Sequence, residues 1–111
     1  MVGTVRSELG EHEQARALAE DTLTRRRVLG EDHPNTLNSA NNLANRLAEL
    51  GEHEQARALT EDTLTRRRRI LGEDHPDTLR SANNLAVWQA ELGEHEQARQ
   101  LREWIGARRR R

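Results

Sequence analysis

The sequence predicts an all-α chain of stacked helix pairs, and three observations predict it. The octamer LGEHEQAR occurs three times, starting at Leu9, Leu50 and Leu92, so the chain is built by repetition of one unit. Within each unit, apolar and small residues recur at spacings of three and four, as on one face of a helix. No segment alternates with period two for long enough to form a strand, and aromatic residues make up only 2% of the chain.

The segment from Leu9 to Glu49 matches that from Leu50 to Glu91, and a third copy begins at Leu92 and ends early. The period is 41 residues and then 42, the difference falling at RRRV (Arg25 to Val28) against RRRRI (Arg66 to Ile70). One residue is missing from the first copy. Keeping Leu29 in the slot of Ile70 places Gly30 where Leu71 stands and tightens the loop to His33.

Taken in order, residues 1–9 read as the tail of an earlier helix. Leu9 and Gly10 close it, and a helix over 11–29 follows, with Asp21 and Arg25 four apart on its surface. The next helix covers 34–50: Pro34 suits a first turn, where a missing N–H costs nothing, and Gly51 suits the position past the end. A helix over 52–71 carries Ala56, Leu59, Thr63, Leu64, Ile70 and Leu71 on one stripe, with Glu52 and Glu54 at the positive end of the helix dipole and arginines toward the negative end. Its Asp62–Arg66 pair adds roughly 0.2–0.5 kcal/mol, so charges assist these helices without explaining them. Pro76 and Gly93 bracket a helix over 76–92 with Leu79, Ala82, Leu85, Ala86 and Leu92 on one face, and the third octamer opens a fifth helix over 94–108.

Large apolar residues are few: 15 Leu, 2 Ile, 4 Val and no Phe give 21 of 111. Such scarcity borders on disorder, but the companion of disorder, high net charge, is absent, because 18 basic and 19 acidic residues are interleaved and leave −1. Helices this poor in bulk hold their shape only by stacking and burying one another's Leu and Ala stripes. With no cysteine, the chain has no disulfide framework, no thiolate nucleophile and no Cys-based zinc site, which fits a reducing cytoplasm. No apolar run approaches the length of a signal peptide or the roughly 20 residues of a membrane span, so a soluble cytoplasmic chain is expected.

The LG-E-x-E-x-A turns at Leu50–Ala56 and Leu92–Ala98, the TRRRRILGEDHPDTL junction from Thr65 to Leu79, and the ANNLA strings at Ala40–Ala44 and Ala82–Ala86 resemble the tetratricopeptide repeats, specifically the 42-residue variety of kinesin light chains. The resemblance implies a right-handed α-solenoid of antiparallel helix pairs, with repeat units at about 1–30 (partial), 31–71 and 72–111. It places Leu43–Ala44 and Leu85–Ala86 at the family's Leu-Gly positions and Ala56 and Ala98 where paired helices cross. The family's aromatic positions hold Leu47, Gln89, Thr60 and Arg102 instead, which implies softer packing.

Candidate chemistry is weighed against this frame. The pairs His12–Glu13, His53–Glu54 and His95–Glu96 begin like a zinc-protease helix, but the second ligand, four residues on, is Arg16, Arg57 or Arg99, and a guanidinium does not ligate a cation. His33 and His75, each in Asp-His-Pro, are expected to mark a helix boundary and cap the next helix. No metal, cofactor or catalytic residue is expected. The runs Arg25–Arg27, Arg66–Arg69 and Arg108–Arg111 suggest a basic ridge for nucleic acid or an acidic protein, although a run of four points all round a helix and acidic residues lie one turn away.

The resemblance implies a non-enzymatic module, a scaffold or regulatory sensor element, that holds a peptide or partner segment in a concave groove lined by the first helices. The matching positions are Asn38, Asn41, Asn45 and Glu49 in one repeat and Arg80, Asn83, Val87 and Glu91 in the next. Asn41 and Asn45 share a face apart from the buried stripe, and an amide offers both donors and an acceptor to a peptide backbone. Asn42 and Asn84 read as structural. The alternatives are a self-assembling fragment sealed at Trp104 and Ile105 against another copy, and a binder of nucleic acid through the arginine ridge.

Overall fold

The computed structural model describes residues 2–109. Its five helices are α1 Val2–Arg26, α2 Pro34–Glu49, α3 His53–Leu71, α4 Pro76–Glu91 and α5 His95–Arg109, with a 3-10 helix at Arg27–Leu29. Among the described residues there is no strand. Short loops reverse the chain between helices, and each helix packs chiefly on its neighbours in sequence, the pattern of a helical solenoid. The radius of gyration is 15.1 Å, above the roughly 13 Å of a compact chain of this length. The last two arginines of the run Arg108–Arg111 lie outside the described residues.

Local chemistry sets the helix ends. His33 and His75 are extended, as residues before proline must be (ψ 138° and 137°). Their Nδ1 atoms accept from the backbone N–H of Asn35 at 3.1 Å and of Asp77 at 3.0 Å, so both cap the following helix as the sequence suggests. At the other ends, the N–H groups of Glu52 and Glu94 reach back to the carbonyls of Leu47 and Gln89 at 2.9 and 2.8 Å. Gly51 and Gly93 make that closure with φ of +79° and +82°, a region where a side chain is strained.

The first octamer departs from expectation. Leu9 and Gly10 do not close a helix, because α1 runs unbroken from Val2 to Arg26. The same string, LGEHEQAR, is thus a joint at Leu50 and Leu92 and plain helix at Leu9.

The missing residue is absorbed by winding. Arg26 and Gly30 correspond to Arg67 and Gly72, and three residues separate the first pair where four separate the second. The three form the 3-10 helix, while α3 stays α-helical through Leu71. Three residues at about 2.0 Å rise advance as far as four at about 1.5 Å, roughly 6 Å either way. Gly30 therefore stands where Gly72 does rather than in the slot of Leu71. The Arg26 carbonyl accepts from Thr36 Oγ1 at 2.7 Å, whereas the matching Thr78 hydroxyl is buried without a partner.

Two apolar clusters form the core. Leu23, Ala40, Leu43, Ala44, Leu47 and Ala56 join α1, α2 and α3, and Leu64, Ala82, Leu85 and Ile105 join α3, α4 and α5. Ile105 is therefore spent inside its own chain rather than exposed for a second copy, and Trp104 packs against the same cluster. Ile70, expected on the buried stripe, is exposed.

Identical octamers in different backbones make opposite predictions. Gly10→Ala adds a Cβ to helix interior with nothing within 4 Å, so it should raise stability by about 0.5–1 kcal/mol. Gly51→Ala and Gly93→Ala should lower it by at least about 1 kcal/mol. Urea or thermal unfolding of the three variants checks the pair of signs.

Candidate functional site

The buried polar residues are Thr36, Ser39, Thr60, Thr63, Thr78, Ser81 and Arg67. Arg67, on α3, is only 2% exposed. A buried guanidinium is costly unless its donors are satisfied. Here Nη1 donates to Ser81 Oγ at 2.9 Å and to the Asp77 carbonyl at 3.2 Å, both on α4. Nη2 donates to Asn38 Oδ1 on α2 at 2.8 Å. One side chain thereby links three helices. Burial holds its guanidinium below the ordinary value, opposed by the nearby Asp77 and reinforced by Arg80.

That bond fixes the orientation of Asn38. A guanidinium only donates, so the amide presents its oxygen to Arg67 and keeps its NH₂ for another acceptor. Along the same face, Asn41 Oδ1 accepts from Asn84 Nδ2 at 3.0 Å, which ties α2 to α4. Asn84 reads correctly as structural, and Asn41 serves the joint as well. Asn42 lies exposed, without a helix-to-helix bond. Asn45 is half-buried. Glu49 is engaged twice, with His12 Nδ1 at 3.0 Å and Arg46 Nη1 at 2.9 Å. On α4, Arg80 is exposed and, among the described residues, pairs with its own Asp77 at 3.5 Å. Asn83 and Glu91 are also exposed, and Val87 is half-buried. The predicted residues thus form adjacent rows on α2 and α4, with the α2 row largely committed to holding the chain together and the α4 row open.

Sequence reading missed Arg67, hidden as one of four consecutive arginines. The four do point all round the helix. Arg66 and Arg69 converge on Asp32 at 2.8 and 2.6 Å and hold its carboxyl below the usual range. Arg67 turns inward, and the Arg68 guanidinium lies 4.5 Å from the centre of the Trp104 ring. Arg108 lies at the same distance from that ring and also binds Glu73 and Asp74, at 2.7 and 2.8 Å. The expected ridge is for the most part folded into ion pairs.

The octamer's other residues also do joint work. Arg16 binds Glu52 at 3.0 Å, and the matching Arg57 binds Glu94, which holds the Arg57 guanidinium above its ordinary value. His53 stacks on Trp88 with ring centres 6.3 Å apart. The Trp88 indole N–H donates to Thr60 Oγ1 at 3.2 Å, so a facing helix supplies the aromatic that Thr60 lacks.

The tetratricopeptide repeat pattern matches residues 3–35, 36–77 and 79–104. The chain belongs to the tetratricopeptide repeat family. No curated protein matches it. In this tetratricopeptide repeat chain, Ala44, Ala56, Ala86 and Ala98 are all buried, as expected of small residues at helix crossings. Among the described residues, no helix is long and apolar enough to cross a membrane.

The two repeats place unequal weight on equivalent arginines. Arg67→Ala leaves Asn38, Ser81 and the Asp77 carbonyl without their shared donor and should cost about 2–4 kcal/mol. Arg26→Ala, at the matching but half-buried position, should cost no more than about 1 kcal/mol. Denaturant midpoints for the two variants measure the contrast.

Proposed function

We propose that this tetratricopeptide repeat chain is a non-enzymatic protein-interaction module that binds an extended, acceptor-rich partner segment along the exposed rows of α2 and α4. The family supports interaction with protein partners in general. The observation that carries the finer reading is the contrast between Asn38 and Arg80. At equivalent positions, exposed Asn38 gives its amide oxygen to Arg67 and keeps its NH₂ donors, and Arg80 stands 61% exposed at the side-chain level with a long contact to Asp77.

Donors therefore dominate this strip. Asn38, Asn83 and Arg80 offer N–H groups, and the positive charge of Arg67 lies directly behind Asn38. A peptide backbone presents carbonyls at regular intervals, and a carboxylate side chain pairs with Arg80 in bidentate geometry. Val87 supplies a half-buried apolar contact between them. Asn41, Asn45, Glu49 and Glu91 border the strip, and Asn41 and Glu49 keep its walls in place through Asn84, His12 and Arg46. A scaffold or regulatory sensor role in the cytoplasm is part of this reading.

Fluorescence polarisation with a library of extended peptides tests the reading. Selected peptides should be enriched in Asp and Glu, and Arg80→Glu should weaken them by at least about tenfold, with a smaller loss for Asn83→Ala. Selection without acidic bias, or affinity unchanged in Arg80→Glu, would contradict it.

A further inference from the structure

Three of the changes between the second repeat and the third meet in one groove. Leu47 becomes Gln89, Ala58 becomes Gln100 and Asp62 becomes Trp104. All three new side chains line an open groove of about 340 Å³ whose lining comes from α3, α4 and α5. Its apolar part is Leu64, Leu85 and Leu101, of which the first two are buried.

The groove carries polar atoms that the fold leaves unspent. At the matching position, Leu47 is buried in an apolar cluster. Gln89 puts an amide in its place, and the amide Oε1 is buried with no hydrogen-bond partner, which is destabilising where a leucine is not. Arg68, also in the lining, makes no hydrogen bond among the described residues. Its Nε stands 3.7 Å from Glu73 Oε1, beyond hydrogen-bond reach, and Arg108 takes the other Glu73 oxygen at 2.7 Å. The Trp104 ring, centred 4.5 Å from the Arg68 guanidinium, holds that group through its π face and uses none of its donors. Gln97 makes no hydrogen bond among the described residues either, while Gln100 gives its NH₂ to Glu96 at 3.3 Å. Unspent donors and an unspent acceptor beside leucines match a peptide unit, which presents C=O and N–H together.

We propose that the groove between α3 and α5 binds an uncharged, extended segment of a partner protein by its backbone. A backbone carbonyl accepts from Arg68, a backbone N–H donates to the Gln89 amide oxygen, and an apolar side chain rests on Leu64, Leu85 and Leu101. A carboxylate brings no donor for Gln89, and an ammonium brings no acceptor for Arg68, so a peptide group fits where either ion does not. Recognition through main-chain groups tolerates varied side chains and asks only for the alternation of an extended chain. This site shares no residue with the rows on α2 and α4, so the two are separable by experiment.

The probe is a labelled, end-blocked peptide of alternating Ser and Leu, titrated against the full chain by fluorescence polarisation. Beside it runs the same peptide with esters in place of its backbone amides, which removes the N–H groups and leaves the side chains. The amide form should bind saturably, and the ester form at least about tenfold more weakly. Gln89→Leu installs the residue of the matching position, so the urea midpoint should stay unchanged or rise while binding falls at least about tenfold. Arg68→Met keeps the stem and removes the donors, and should weaken binding at least about threefold. Arg80→Glu should have no effect, which separates failure here from failure of the strip on α2 and α4. The proposal is overturned if the intact chain does not bind the amide form, if the ester form binds equally well, or if Gln89→Leu or Arg68→Met leaves binding unchanged. A lowered urea midpoint in Gln89→Leu also overturns it, because the amide then has a partner within the fold. So does sedimentation that shows the chain self-associating and Gln89→Leu releasing monomer, since the occupant is then a second copy.

Discussion

A single hydrogen-bonded cation, Arg67, sets the relation between the helices. Its head touches α4 through Ser81 and Asp77 and α2 through Asn38, in a fold whose apolar core is two small clusters. Neither cluster is large: alanines make up half of the first. Area-proportional burial of Ala and a few Leu gives cohesion but little direction. The hydrogen bonds of a buried guanidinium supply direction, because they are satisfied in only one register.

The surface ion pairs act at a second level. Arg16–Glu52 and Arg57–Glu94 link successive second helices, while Arg66–Asp32 and Arg108–Asp74 link a helix end to the preceding loop. Each exposed pair contributes little by itself, about 0–1 kcal/mol. Repeated at equivalent positions, they reject slipped registers in which like charges would meet. This explains why so charged an octamer is repeated: its Arg and Glu residues address one another across the joint.

Much of the fold was legible in the sequence because its signals are local. Period, proline, glycine and capping histidine placed every loop from residue 30 onward to within a residue or two. The failures came where a local string has two outcomes. LGEHEQAR turns at Gly51 and Gly93 but continues the helix through Gly10, so the octamer alone does not fix the outcome. The deletion beside Arg27 was legible as a deletion, but its solution by 3-10 winding depends on a distance that the flanking helices must span. At the candidate site, the rows on α2 and α4 were located, yet the division of labour within them was not. Nothing local in Asn38 or Asn41 tells that their oxygens are taken by Arg67 and Asn84, and nothing in a run of four arginines tells which one turns inward. Those facts depend on stacking of helices more than 25 residues apart in sequence.

Across the repeats, the inner residues stay nearly constant while Asn38 becomes Arg80, Asn45 becomes Val87 and Arg46 becomes Trp88. A constant frame with varied side chains on one face is how a repeat array separates stability from recognition. The account stands or falls on the bond that joins α2 to the next pair of helices. A double-mutant cycle with Asn38→Ala and Arg67→Met measures it directly, since Met keeps the apolar stem and removes the donors. A coupling of at least about 1 kcal/mol in unfolding free energy is predicted. Additivity within about 0.3 kcal/mol would contradict it.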